Sequence, residues 1–142
     1  MPVVDLKVGP VTARAVAGLI GAGLVASAHD LSEGGLAVAA AEMLFAGGLG
    51  ASIDLAGVPC AEDADDDATL LFAESASRYL LEVKPGDFDA LAKRLKSEGI
   101  RFGVIGRVEA GGKMKVRSVK NGWLMDEAVE ALKGSWLGRL DW

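Results

Sequence analysis

The sequence predicts an α+β fold, an α/β sandwich built on a ferredoxin-like βαββαβ core with added helices. Three observations carry that reading. From Leu24 to Val108 short apolar strand-like runs alternate with helical stretches in the order β-α-β, then β-α-β, the split βαβ pattern. Glycine or proline punctuates most of the segments, as chain reversals require. With 142 residues, 51% of them apolar, the chain can bury one core. No repeat, low-complexity tract or linker divides it, so residues 1–142 read as a single domain.

Pro10 suits the first turn of a helix running to Gly21 or Gly23, with Ala15, Val16, Leu19 and Ile20 as its apolar stripe. A short buried strand follows over Leu24–His29. The next helix spans Gly34–Phe45, and Gly47-Gly48 stop it. Its alanines, Ala37, Ala39, Ala40 and Ala41, allow close approach to a sheet. A strand is predicted over Gly50–Leu55, then a polar loop or short helix over Cys60–Thr69, then a strand over Arg78–Val83. Pro85–Glu98 reads as an amphipathic helix through Phe88, Leu91 and Leu95, with Gly99 past its end. Strands over Phe102–Val108 and Lys113–Val119 join across Glu109–Gly112. Asn121-Gly122 signals a tight turn. Asp126 is expected to cap a last helix over Glu127–Lys133. The apolar tail from Trp136 to Trp142 is expected to dock on the body.

The net charge of −5 argues against nucleic-acid binding, which calls for a basic face. Lone Cys60 cannot form an internal disulfide and fits a reducing compartment. No apolar run approaches a membrane span, and no basic region leads into an apolar one as in a signal peptide. These features predict a cytoplasmic chain with neither membrane nor nucleic acid as partner.

The densest chemistry lies in His29-Asp30-Leu31-Ser32-Glu33-Gly34-Gly35, between a strand and a helix. Amides at a helix start can meet an anion, and glycines let the backbone approach it. Ser32 can donate to such a guest, and His29 or Asp30 can touch its polar parts. The structural alternative is that Asp30 or Ser32 caps the helix and His29 is a satisfied core residue. A second group, Glu74-Ser75-Ala76-Ser77-Arg78, sets a carboxylate, hydroxyls and a guanidinium before a strand. Arg78 could grip phosphate bidentately, or pair with Glu74. Asp63, Asp65, Asp67 and Glu74 match positions 1, 3, 5 and 12 of a calcium loop. Ala68 stands where that loop's turn needs glycine, so a solvated acidic loop is the expectation. Lys113, Lys115 and Arg117 alternate along one strand and read as a solvated face. One histidine and one cysteine offer neither a zinc set nor a Ser/His/Asp arrangement.

The segments "SAHDLSEGGLAVAAAEMLFAGGLGASIDL", "LFAESASRYLLEV" and "GIRFGVIGRV" resemble the C-terminal end of phosphoribosylformylglycinamidine synthase, the large synthetase subunit of purine biosynthesis. The likeness covers about residues 3–140, and the pairing of the HD-x-S-[DE]-GG turn with the F-x-ES-x-SR stretch about 40 residues later is its most specific part. It implies a C-terminal domain of the aminoimidazole ribonucleotide synthetase type, preceded in that family by a strand and a Gly-Gly-Ser loop upstream of residue 1. It implies a carbon–nitrogen ligase in which ATP activates the amide oxygen of formylglycinamide ribonucleotide as a phosphate ester. Glutamine-derived ammonia then displaces the phosphate to give the amidine. ATP with Mg2+ would be the cofactors, held mainly by N-terminal-type domains. Those domains, a glutaminase subunit and a small accessory subunit would be the partners, and the chain alone would be inactive. Nucleotide or anion contact falls to Asp30, Ser32, Gly34 and Gly35, with His29 as a polar wall and Ser75 and Arg78 next; none is a catalytic base. Two alternatives remain. One is another enzyme of that ATP-using group, of selenophosphate synthetase or thiamine-phosphate kinase type. The other is a non-catalytic ferredoxin-like module binding a ligand or protein.

Overall fold

The structure, a computed structural model, describes residues 5–61, 64–120 and 122–138. Five α-helices and six strands follow in order among the described residues: α1 Val8–Gly21, β1 Ser27–Asp30, α2 Gly35–Gly47, β2 Gly50–Asp54, α3 Asp67–Phe72, β3 Tyr79–Glu82, α4 Phe88–Ser97, β4 Gly106–Glu109, β5 Lys113–Arg117, β6 Trp123–Ala128 and α5 Val129–Leu137. The α+β class is as the sequence predicts. The strands, however, divide between two sheets. β1 pairs antiparallel with β3, and the second sheet has the order β4-β2-β5-β6. A strand has only two edges. β2 takes β4 antiparallel on one and β5 parallel on the other, so β3 cannot join it directly.

Local chemistry explains most element ends. Asp5 Oδ1 accepts from the Lys7 and Val8 amides at 2.8 and 2.9 Å, which starts α1 ahead of Pro10. Asp66 Oδ1 accepts from Thr69 N at 3.0 Å and caps α3, the short helix within the polar segment. Gly48 closes α2 in the left-handed region, φ +62°, donating to Leu44 O at 2.9 Å.

Asp126 does not cap the last helix. It lies within β6, where its carboxylate accepts from Lys113 Nζ on β5 at 2.9 Å, and α5 begins at Val129. β5 needed a partner on its free edge, and that pairing overrides the capping propensity of one aspartate. Asn121 of the predicted tight turn lies outside the described residues. Around it, Ser118 N donates to Gly122 O at 3.0 Å. Of the apolar tail, Trp136 lies on Phe45 of α2 with ring centroids 6.3 Å apart. Residues 139–142 lie outside the description.

Two apolar cores result. The larger gathers Leu36, Ala40 and Leu44 of α2 with Ile53, Met114 and Val116 of the four-stranded sheet. α2 is apolar on several sides because α3, α5 and β1 all pack on it. The smaller core joins Ala15 and Leu19 of α1 to Leu91 and Leu95 of α4, with Leu81 of β3 and Val83 just after it at its border. Lys113, Lys115 and Arg117 line an exposed face as predicted. They face Asp126 on β6, Glu109 on β4 and Asp54 on β2 at 2.9, 3.6 and 3.9 Å.

Candidate functional site

The two sequence segments singled out for chemistry meet. Pairing of β1 with β3 carries on past the strand ends, so Leu31 N donates to Arg78 O at 2.9 Å. That fixes the turn 31–35 against the loop 73–78. Gly34 N donates to Glu74 Oε1 at 2.8 Å. The helix cap therefore comes from a carboxylate forty positions along the chain, not from Asp30 or Ser32. Gly34 is itself the N-cap residue, φ +76°, and α2 has no side-chain cap of its own. A carboxylate is the favoured partner there, since the positive end of the helix dipole faces it.

Gly35, φ +61°, is buried, and a Cβ on it would stand 2.8 Å from both Leu71 O and Ala73 O. The second glycine thus lets α2 start hard against the C-terminal end of α3. Ser32 is exposed, and its carbonyl accepts from Gly35 N at 3.2 Å.

Ser75 and Arg78 are half-buried on the loop. Arg78 Nη1 donates to Ala73 O at 3.0 Å, which orients the guanidinium. Among the described residues it has no carboxylate partner within 4.0 Å, and the expected Glu74–Arg78 pair is absent because Glu74 is engaged by Gly34. Partial burial lowers the Arg78 pKa from its ordinary value, with no charged partner to offset it. A guanidinium has five N–H donors and stays charged, and among the described residues the side-chain hydrogen bond of Arg78 is the one to Ala73 O. Ser77 beside it holds a left-handed backbone, φ +65°, rare for a residue with a side chain.

His29 and Asp30 sit on β1 opposite Leu80 and Tyr79 of β3, and their own contacts run elsewhere than Arg78. His29 Nδ1 meets Asp30 O at 2.7 Å and Nε2 meets Glu42 Oε2 at 3.0 Å. Glu42 sits seven residues along α2 from Gly35, about 10 Å along the helix axis. Asp30 is exposed. Glu42 carries no signal in the sequence; only the fold gives it its place beside His29. Among the described residues no group of three His, Cys, Asp or Glu could hold a metal ion, and no helix is long and apolar enough to cross a membrane. Of the calcium-loop pattern, Asp63 lies outside the described residues. Asp67 is engaged by Ser118 Oγ at 2.7 Å and Val119 N at 2.9 Å, and Glu74 by Gly34.

Residues 1–119 match the family described as AIR synthase related protein, C-terminal domain. Phosphoribosylformylglycinamidine synthase subunit PurL of Moorella thermoacetica is 40% identical over 135 residues, covering 95% of this chain but 17% of that protein. The chain thus spans about a sixth of the relative's length. Among solved structures, Thermotoga maritima PurL complexed with FGAR superposes with a TM-score of 0.83 at 26% identity, over 93% of this chain and 22% of that one. The Thermotoga maritima PurLQS structure gives the same values. PurL of that organism complexed with ATP gives 0.78 at 25% identity, over 86% and 21%.

Proposed function

Because the chain belongs to the AIR synthase-related C-terminal domain family, we propose that it forms one wall of a phosphate-ligand site in a longer ATP-dependent carbon–nitrogen ligase. The reaction is the conversion of formylglycinamide ribonucleotide, ATP and glutamine-derived ammonia to formylglycinamidine ribonucleotide. Supporting this are the PurL relatives and the FGAR and ATP complexes of the Thermotoga maritima protein. The observation that carries the local reading is Arg78: half-buried, oriented by Ala73 O, and without a carboxylate partner among the described residues. With Ser75 beside it, Arg78 supplies donors to a phosphate or to an oxygen gaining charge as phosphate transfers.

Gly34, Gly35 and Ser32 hold the shape of that wall. Gly34 does so through Glu74, whose carboxylate keeps α2 and the loop in register. His29, with Glu42 and Asp30, borders the site's outer side. This donor set fits the phosphate of ATP or of the ribonucleotide. It does not fit Mg2+, which needs oxygen ligands that the described residues do not cluster. Magnesium and the reacting atoms belong to N-terminal-type domains of the same polypeptide. A glutaminase subunit and a small accessory subunit complete the assembly in which the chain works, and the domain alone has no activity.

The test is Arg78→Ala in the longer polypeptide carrying this domain, with dissociation constants for ATP and for formylglycinamide ribonucleotide. Loss of a charge-assisted hydrogen bond predicts about 10- to 100-fold weaker binding of one of the two. Unchanged affinity for both, in a variant with unaltered circular dichroism, overturns the reading.

A further inference from the structure

β3 takes one edge of β1, and among the described residues no strand takes the other. In an antiparallel pair the backbone groups of alternate residues turn toward the partner. Leu31 N donates to Arg78 O, so Leu31 and, two and four positions back, His29 and Ser27 turn theirs to β3. Ala28 and Asp30 turn theirs to the free edge. The Asp30 carbonyl there is met by His29 Nδ1 at 2.7 Å. Ala28 is exposed and presents an N–H and a C=O side by side, the pair that a residue of an added strand engages.

A groove of about 610 Å³ runs along this edge. Ser27, Ala28 and His29 all line it. Successive side chains of a strand point to opposite faces, so a space met by three residues in a row meets the strand's edge. The other wall is one face of α2, with Glu42, Met43, Phe45 and Ala46, together with Trp136 of α5. The chain reverses over residues 31–34, so α2 runs back along β1. Glu42 lies at the His29 end, its Oε2 3.0 Å from His29 Nε2, and Phe45 and Ala46 lie a turn further on, toward Ser27. Trp136, 51% exposed, stands at that apolar end with its ring centroid 6.3 Å from that of Phe45.

We propose that this edge docks an extended segment of a partner protein, which runs antiparallel to β1 and carries a basic residue two positions before an apolar one. The residue between them exchanges both backbone hydrogen bonds with Ala28. Its two neighbours then stand opposite His29 and Ser27, on the face that α2 covers. The first meets the Glu42 carboxylate, with that of Asp30 beside it, Oδ1 3.6 Å from His29 Nδ1. No lysine or arginine lines the groove, so an incoming cation is the complement of that end. The second meets Phe45, Ala46 and Trp136, a surface for an apolar side chain. A second copy of β1 is the wrong occupant, since it would bring its own Asp30 and Glu42 against these two. This proposal does not depend on the phosphate-site reading.

The experiment titrates the 142-residue chain with acetyl-Thr-Arg-Thr-Leu-Thr-amide and follows backbone and indole N–H shifts by NMR. One control peptide replaces Arg by Glu, and another carries a methyl group on the central Thr nitrogen. Saturable shifts are expected at Ser27–Asp30, along α2 from Glu42 to Ala46, and at the Trp136 indole. The Glu peptide should bind about 10-fold more weakly, because an attractive charge contact becomes a repulsive one. The methyl group should weaken binding about 10-fold or more, because it removes the N–H that meets the Ala28 carbonyl. Ala28→Pro should act likewise from the other side, since proline is tolerated where a strand's N–H faces solvent. Equal affinity for the Arg and Glu peptides, or for the methylated and unmethylated ones, overturns the proposal. So does the absence of saturable shifts at these positions with millimolar peptide. Binding that appears only once residues 139–142 are removed would make those residues the occupant and refute it. Shifts of Ser27–Asp30 that grow with protein concentration, without peptide, would make it a second copy and refute it too.

Discussion

Gly35→Ala separates two meanings of the glycine pair at the start of α2. At φ +61° an L-residue costs about 1–2 kcal/mol through its Cβ. The second contribution is contact. The new Cβ would meet Leu71 O and Ala73 O, both at 2.8 Å, and these are backbone atoms that cannot rotate away. Relief requires α2 to shift from α3, an overpacking cost of about 1–3 kcal/mol. The sum is about 2–5 kcal/mol, a large part of the stability of a domain this size. Gly48→Ala is the matched control. Its φ is +62°, but nothing lies within 4 Å of the added Cβ, so it carries the backbone cost alone. Gly111→Ala, unstrained and open, should change stability by less than about 0.5 kcal/mol. The assay is urea unfolding followed by circular dichroism, with the slopes compared to confirm a common unfolded state. If Gly35→Ala loses no more than Gly48→Ala, the close approach of α2 to α3 is not real, and with it falls the geometry that holds the Arg78 loop.

Two further outcomes follow from the same turn and from α3. Glu74→Ala removes the carboxylate that caps Gly34 from across the chain and should cost about 0.5–2 kcal/mol in the urea assay. Glu74→Gln should recover part of that loss, because the amide oxygen still accepts, and equal loss in both variants would show that charge alone matters. Asp66 is held below the usual carboxylate range first by the Thr69 hydroxyl and then by the Thr69 amide. Its folded pKa is thus below its unfolded one. The stability it contributes is full above the unfolded value near 4 and is lost as pH falls through the lower folded value. Asp66→Ala should flatten that part of the acid limb of a stability–pH curve, and an unchanged limb would refute the cap.

Legibility followed the range of the interactions. α2 reads straight from the sequence because its alanines, its leucines and the Gly47-Gly48 stop act within a few residues of each other. The acidic stretch left α3 open between a polar loop and a short helix, because its cap and N–H partner lie three residues apart but its carboxylates look like a solvated loop. Asp126 misled for the opposite reason. Its local preference for a helix start lost to a partner strand and to Lys113, thirteen residues away. The site divides in the same manner. Gly34, Gly35, Ser75 and Arg78 were recognisable as chemistry-bearing, while the roles of Glu74 as a cap and Glu42 as the partner of His29 depend on contacts between distant segments.

By itself the amino-acid order settled α1, α2 and α4, the α+β class, and which two short segments hold unusual polar chemistry, but not β6, which it read in part as helix. Those depend on periodicity, on glycine and proline, and on side-chain type, all properties of neighbours along the chain. The folded molecule alone decided that the strands form two sheets, that Glu74 rather than Asp30 or Ser32 holds the turn, and that Arg78 turns to Ala73 O rather than to Glu74. Each of those is a choice among edges or partners far apart in sequence, and such a choice is made by what space and hydrogen bonding remain once the cores have packed.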